Sequence, residues 1–141
     1  MKILYATDGS VPSLAAFRSL LDRLAWFAGG VDLTILNVHP AIPFKRAAAW
    51  AGQEALKTYY DEECDAALAG AIAEATARNI PFKSEPRIGE PASTIVAVAR
   101  DEKFDVIALG AVGHSALSHL MLGSVAQKVV ASSKVPVLLL R

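Results

Sequence analysis

The chain has 141 residues, of which 53% are hydrophobic and 20% charged. That supports one domain with a sizeable core, is too short for two domains with a linker, and is too apolar for intrinsic disorder. Lys plus Arg and Asp plus Glu stand at 14 each, so charge gives no reason to expect nucleic acid or a membrane surface as a partner.

Residues Lys2 to Thr7 (KILYAT) are a short, mostly apolar run that ends at Asp8-Gly9-Ser10. This reads as a buried strand followed by a turn. No signal peptide is expected before the strand, and the apolar runs are far shorter than the roughly 20 residues that cross a bilayer. A cytoplasmic location is the expectation. Ser10 can cap the following helix, with Pro12 in its first turn. Leu14, Phe17, Leu20, Leu21, Leu24 and Phe27 recur at helical spacing, and Gly29-Gly30 is expected to stop the helix. Val31 to Val38 reads as the second strand, ending at His39-Pro40.

From about Ala47 to Arg78 the chain is rich in strong helix formers, and Asn79 can end that long helix. Its lone cysteine, Cys64, reads as an ordinary helix residue. Pro81 to Ile88 is a weak strand whose prolines and charges suit a sheet edge. Gly89-Glu90-Pro91 opens a third helix, filled by Ile95, Val96, Val98 and Ala99. Asp105 to Leu109 is a buried strand, Gly110 to Leu117 a loop, and Ser118 to Ala131 a fourth helix. Val135 to Leu140 is the last strand.

Strict alternation of mostly apolar strands with helices predicts a single-domain α/β fold: a five-stranded parallel sheet covered by helices on both faces. Ligands of such sheets bind at the carboxyl ends of the strands, where strand order reverses. Asp8-Gly9-Ser10 follows the first strand and Gly110 to Ser124 follows the fourth. If those strands are neighbours, both segments face one crevice.

Gly110 directly follows a buried strand, and Gly113 comes three residues later. Glycines there let backbone N–H groups approach an anion with no Cβ in the way. Gly123 and Ser124 then offer backbone N–H groups and a hydroxyl for the other side of a phosphate pocket. Glycine inside a helical pattern costs about 1 kcal/mol relative to alanine, so Gly123 asks for a reason. On spacing alone, a plain turn and close helix packing explain these glycines equally well. The loop is neither a Walker motif nor a dinucleotide G-x-G-x-x-G, and no lysine lies between Gly110 and Ser124.

The pattern G-x2-G-x9-G-S/T, present as Gly110, Gly113, Gly123 and Ser124, resembles the nucleotide-binding signature of ATP-binding universal stress proteins. The opening KILYATDGS, the Gly89-Glu90-Pro91 segment followed by Ile95, and the ending SSKVPVLLLR resemble the same family, so the likeness runs the length of the chain. It implies a Rossmann-like sheet, of the adenine nucleotide alpha hydrolase type, with strand order 3-2-1-4-5. It further implies ATP, ADP or AMP as ligand, with Mg²⁺ on the phosphates and no protein metal site. Asp8 matches the acidic residue at the ribose and base end, and Val38 the position that borders adenine through its backbone. Gly110, Gly113, Gly123 and Ser124 match the phosphate positions, while Thr7 and Gly9 shape the pocket around Asp8.

One departure stands out. Where the family has polar or basic residues after the first glycine, this chain has Ala111 and Val112. The loss of side-chain donors weakens phosphate binding or shifts preference towards AMP or ADP. His114 is the candidate to compensate, with a solvent-facing loop histidine as the alternative reading; His39 and His119 read as structural or exposed.

Phosphoryl transfer needs a base, charge stabilisation and usually a metal. Asp8 is the acidic residue placed in the crevice, at the sugar end, so binding with slow or no hydrolysis is expected rather than enzymatic turnover. The glycine-rich first loop of PP-loop adenylating enzymes is missing, and so is the third-strand Asp of phospho-receivers. The remaining alternative is a member of the same fold that binds no nucleotide and acts as a dimeric interaction module. Family likeness implies a homodimer through antiparallel pairing of Val135–Leu140, and a further protein partner of unknown identity.

Overall fold

The structure is a computed structural model and describes residues 1–42, 52–112 and 122–141. Five strands, β1 (Lys2–Thr7), β2 (Asp32–His39), β3 (Phe82–Ile88), β4 (Val106–Gly110) and β5 (Val137–Leu140), form one parallel sheet in the order β3-β2-β1-β4-β5. The described helices are α1 (Val11–Leu21), α2 (Gly52–Ala77), α3 (Pro91–Asp101) and α4 (Ser124–Ser132). The expected strand order 3-2-1-4-5 is therefore the observed one. β1 lies between β2 and β4, so the crevice at its carboxyl end is flanked by both.

Two cores sandwich the sheet because side chains alternate along each strand. Ile3 and Tyr5 of β1 pack with Phe17 and Leu20 of α1 and Leu68 and Ala71 of α2. Leu4 and Ala6 turn to the other face, against Ile95 and Ala99 of α3 and Val129 of α4. Ile3, Leu4 and Tyr5 are fully buried; each such side chain contributes about 1.5–3 kcal/mol.

Several boundaries differ from expectation. α1 ends at Leu21, and the chain tightens into a 3-10 turn over Leu24–Trp26. Leu24 and Phe27 still pack on the first core, so the apolar spacing outlasts the helix itself. Gly29 and Gly30, with φ of +82° and +81°, make the turn into β2 instead of stopping the helix. β2 and β4 each begin and end one residue later than expected. α2 does end before Asn79, whose φ is +54°, with the Ile80 N–H donating to the Ala75 carbonyl at 3.0 Å. The portion of the long helix expected over residues 47–51 lies outside the described residues.

α4 begins at Ser124. Leu122 and Gly123 are not helical, and residues 118–121 lie outside the described residues. Gly123 is the N-cap, with extended φ −60° and ψ 149°. No helical penalty attaches to it, and the reasoning from glycine inside a helix falls away. β5 begins at Val137 rather than Val135. The Val135 N–H is taken by the Ser133 Oγ at 3.0 Å, and Pro136 has none to give. β3 and β5 are the two sheet edges.

Candidate functional site

A cavity of about 360 Å³ opens at the carboxyl ends of β1, β2 and β4. β1 and its turn supply Thr7 and Asp8. β2 supplies Asn37, Val38 and His39, with Pro40 beyond. Gly110 and Val112 come from the end of β4, and Gly123 to Ala126 from the start of α4. Pro91 and Ile95 of α3 and Glu63 and Ala67 of α2 complete the wall.

The Asp8 turn is built from inside the core outwards. Tyr5 Oη donates to the Ser13 carbonyl at 2.6 Å, and the Ser13 and Thr7 hydroxyls lie 3.0 Å apart. The Gly9 N–H donates to Thr7 Oγ1 at 3.1 Å, and the Ser10 N–H to Asp8 Oδ1 at 3.0 Å. Ser10 caps α1 by accepting from the Ser13 N–H at 3.2 Å, with Pro12 in the first turn as the sequence suggests. Burial pushes the Tyr5 phenol up to about 12, although the Ser13 hydroxyl, 3.3 Å from Tyr5 Oη, lowers it. Gly9 itself does not line the cavity. It carries φ +74°, and its backbone sits against α2, where a Cβ would stand 2.7 Å from the Ala67 Cα.

Asn37 is 4% exposed and faces the same side as Thr7. Its Nδ2 donates to the Thr7 carbonyl at 2.8 Å, while its Oδ1 has no hydrogen-bond partner among the described residues. The carbonyl fixes the orientation of the amide, since a flip would oppose two oxygens. His39 is half-buried at the rim; its Nδ1 lies 2.8 Å from the Pro40 carbonyl. Tyr59 and Tyr60 meet the His39 ring edge-on, and Tyr60 Oη receives the Ile42 N–H at 2.7 Å. Cys64 is buried on α2, and burial together with Asp65 and Asp61 pushes its thiol up, away from reactivity.

On the opposite wall the Ala111 N–H donates to the Leu140 carbonyl, and the Gly123 N–H to the Ala111 carbonyl, both at 2.8 Å. The Gly123 N–H is thus already used, a correction to its expected role as a free phosphate donor. The donors available are those of Ser124, Val125 and Ala126, because the first N–H groups of an α-helix have no intrahelical acceptor. These N–H groups and the positive end of the helix dipole open onto the cavity, which suits an anion. Gly110 backs onto α1, where a Cβ would meet Ala16 Cβ at 3.5 Å and the Val112 carbonyl at 3.2 Å. Glu90 caps α3 by accepting from the Ser93 N–H at 2.8 Å, and Lys128 of α4 reaches its other oxygen at 3.2 Å. The Ser93 bonds, then Lys128, lower the Glu90 carboxyl to about 2.

The structure thus gathers Thr7, Asp8, Val38, Gly110, Gly123 and Ser124 around one cavity and leaves Gly9 behind the wall. Gly113 and His114 lie outside the described residues. Asn37, Glu63 and His39 border the cavity without having been singled out for it. A polar residue next to Val38 at the end of an apolar strand was the available signal for Asn37. Glu63 gave none, because nothing in a helix-forming run says which turn will cross the crevice.

A family model described as the universal stress protein family matches residues 1–141. A universal stress protein of Methanocaldococcus jannaschii is 30% identical over 141 residues, covering 99% of this chain and 81% of that protein. The solved structure of a second universal stress protein from Methanocaldococcus jannaschii superposes with a TM-score of 0.77 at 28% identity, covering 99% of this chain and 94% of that one. A crystal structure of a universal stress protein in complex with cAMP gives 0.70 at 26% identity, covering 100% and 97%.

Proposed function

Because this chain belongs to the universal stress protein family, we propose that its cavity binds an adenine nucleotide and that the protein works as a nucleotide-dependent regulator. The observation that carries this reading is one cavity holding three kinds of group: the Asp8 carboxylate, the backbone end of β2 at Val38, and the N-terminus of α4. Its volume of about 360 Å³ falls in the range of small-ligand pockets, roughly 300–1,000 Å³. Asp8, an acceptor, suits ribose hydroxyls. The apolar sector between Val38, Pro40 and Ile95 suits a purine ring. The α4 N–H groups suit a phosphate. The cAMP held by a structural relative supports the same assignment. ATP, ADP and AMP all carry the recognised nucleoside, and Mg²⁺ would arrive on the phosphates of the longer ones.

The reading is of binding rather than turnover. Among the described residues, the charged side chains lining the cavity are Asp8 and Glu63, and neither supplies the cation that phosphoryl transfer requires. The same reading places the protein in the cytoplasm; among the described residues no helix is long and apolar enough to cross a membrane. It makes β5 the dimer contact. β5 is an edge strand with Leu139 at 38% exposure, and an apolar edge invites pairing with a second copy across a two-fold axis. A dimeric interaction module without nucleotide is the second reading, favoured by Ala111 and Val112 in place of polar residues.

Calorimetric titration of nucleotide-stripped protein with ATP, ADP and AMP separates the two. Micromolar binding of at least one nucleotide, weakened about tenfold or more by Asp8→Ala, is the expected result. No binding to any of them leaves the interaction module. Sedimentation of the wild type and of Leu139→Lys tests the dimer: a wild type that is monomeric at micromolar concentration overturns it.

A further inference from the structure

We infer, on the reading of this cavity as an adenine-nucleotide site, that Glu63 of α2 accepts a hydrogen bond from a sugar hydroxyl and makes the site select ribose over deoxyribose. The strand order sets the layout. β1 lies between β2 and β4, so a nucleotide with its base beside Val38 and its phosphate at the α4 N-terminus carries its sugar over the end of β1. Helix α2 crosses above that point. Its Tyr60 ring meets the His39 ring at the end of β2, with centroids 5.3 Å apart. Its Ala67 closes on Gly9 in the β1 turn. Residues three or four apart share a face of a helix. Glu63 stands between Tyr60 and Ala67 at that spacing, on the stretch of α2 that bridges the two strand ends, and it lines the cavity.

An ionised carboxylate there accepts hydrogen bonds and donates none. Glu74 on the same helix is held by Arg18 and Arg78, whereas Glu63 has no hydrogen-bond or ion-pair partner among the described residues. Asn37, in the same cavity wall, also has only an acceptor left: its Nδ2 is spent on the Thr7 carbonyl, and its buried Oδ1 has no partner. A wall of acceptors suits a ligand part that donates. The adenine amino group donates too, but the apolar sector that suits the base, Val38 with Ile95, belongs to the α3 face of the sheet. α2 packs on the opposite face. The sugar hydroxyls, over β1, are the donors that Glu63 meets.

The test is calorimetric titration of the whole chain, wild type and Glu63→Ala, with AMP, 2′-deoxy-AMP and 3′-deoxy-AMP. At least one deoxy form is expected to bind the wild type about tenfold more weakly than AMP, since the lost bond is to a charged group. Glu63→Ala is expected to cut that penalty to about twofold or less. All three ligands carry the same phosphate, so the ratio cancels the general effect of removing a negative charge. Alanine suits an exposed helix position, and retained AMP binding shows that the variant is folded. Glu63→Gln keeps an acceptor oxygen at the same reach and retains more of the penalty than Glu63→Ala. Glu62→Ala, beside Glu63 in sequence but not in the cavity wall, leaves the ratio unchanged; a matching change there overturns the inference. Deoxy forms that bind the wild type as tightly as AMP, or penalties that all survive Glu63→Ala, overturn it while leaving the nucleotide site standing. Failure of AMP, ADP and ATP alike to bind the wild type overturns both.

Discussion

Gly9 lies so close to Ala67 that a Cβ on Gly9 would stand 2.7 Å from the Ala67 Cα. This contact locks the turn carrying Asp8 onto α2, the helix that also sets Glu63 at the cavity wall and Tyr60 against His39. Gly9 has φ +74° as well, so the position excludes a side chain on conformational and steric grounds together.

Gly9→Ala is therefore expected to cost about 2–4 kcal/mol, from left-handed backbone strain and displacement of α2. Urea unfolding with an unchanged m-value would measure it. A loss under about 0.5 kcal/mol would mean that α2 shifts freely and does not clamp the turn.

Asn37 joins β2 to β1 through its bond to the Thr7 carbonyl, with its own Oδ1 unpartnered. Asn37→Leu removes one buried unpartnered oxygen but also takes the donor from the buried Thr7 carbonyl, so a net cost of about 1–3 kcal/mol is expected. Asn37→Asp puts a carboxylate against that carbonyl in a buried site, which raises its folded-state pKa. Stability of this variant then falls as pH rises from the unfolded carboxyl pKa towards the folded one, since the unfolded state binds fewer protons there. Denaturant melts of both variants at pH 4 and pH 7 test the contrast. Equal behaviour at the two pH values would show that the aspartate reaches water.

Glu90 is lowered from 4.5 to about 2, chiefly by the Ser93 backbone N–H it caps. A depressed folded pKa contributes stability above the unfolded value that is lost as pH falls through the folded one. Glu90→Gln should flatten the acid limb of the stability curve between about pH 4.5 and 2, because glutamine does not titrate. An acid limb of unchanged slope would assign acid sensitivity to other carboxylates.

Tyr5 is pushed up to about 12 by burial, with its hydroxyl bonded to the Ser13 carbonyl. A raised folded pKa means stability fully present below the unfolded value of 10.0 and lost as pH climbs through the folded one. Ultraviolet titration should show one of the three tyrosines ionising last, and Tyr5→Phe should delete that late step. The same variant loses about 1 kcal/mol from the missing bond. A late step that survives in Tyr5→Phe would indicate a solvated Tyr5.

The parallel sheet and its order of elements were legible because burial on both faces leaves continuous apolar strands, and alternation with helices leaves few ways to connect them. Asp8 and Gly110 stand out in the sequence because each sits at a strand end, where a polar or glycine residue interrupts an apolar run, whereas Val38 is singled out through the family likeness alone. The end of α1 was misjudged for a related reason: Leu24 and Phe27 keep helical spacing while packing from a 3-10 turn. Spacing reports which face is buried, and not which hydrogen-bond ladder carries it.

Other matters were left to tertiary structure. That the Gly123 N–H is spent on the Ala111 carbonyl, leaving Ser124 to Ala126 as donors, depends on how α4 is docked beside β4. That Gly9 serves the packing of α2, and that Asn37 and Glu63 border the cavity, depends on where a 26-residue helix crosses the sheet. The sequence determines which residues are apolar, which can cap and which can turn, because those are properties of single residues and near neighbours. Contacts between segments tens of residues apart are decided only when two cores close on the two faces of one sheet.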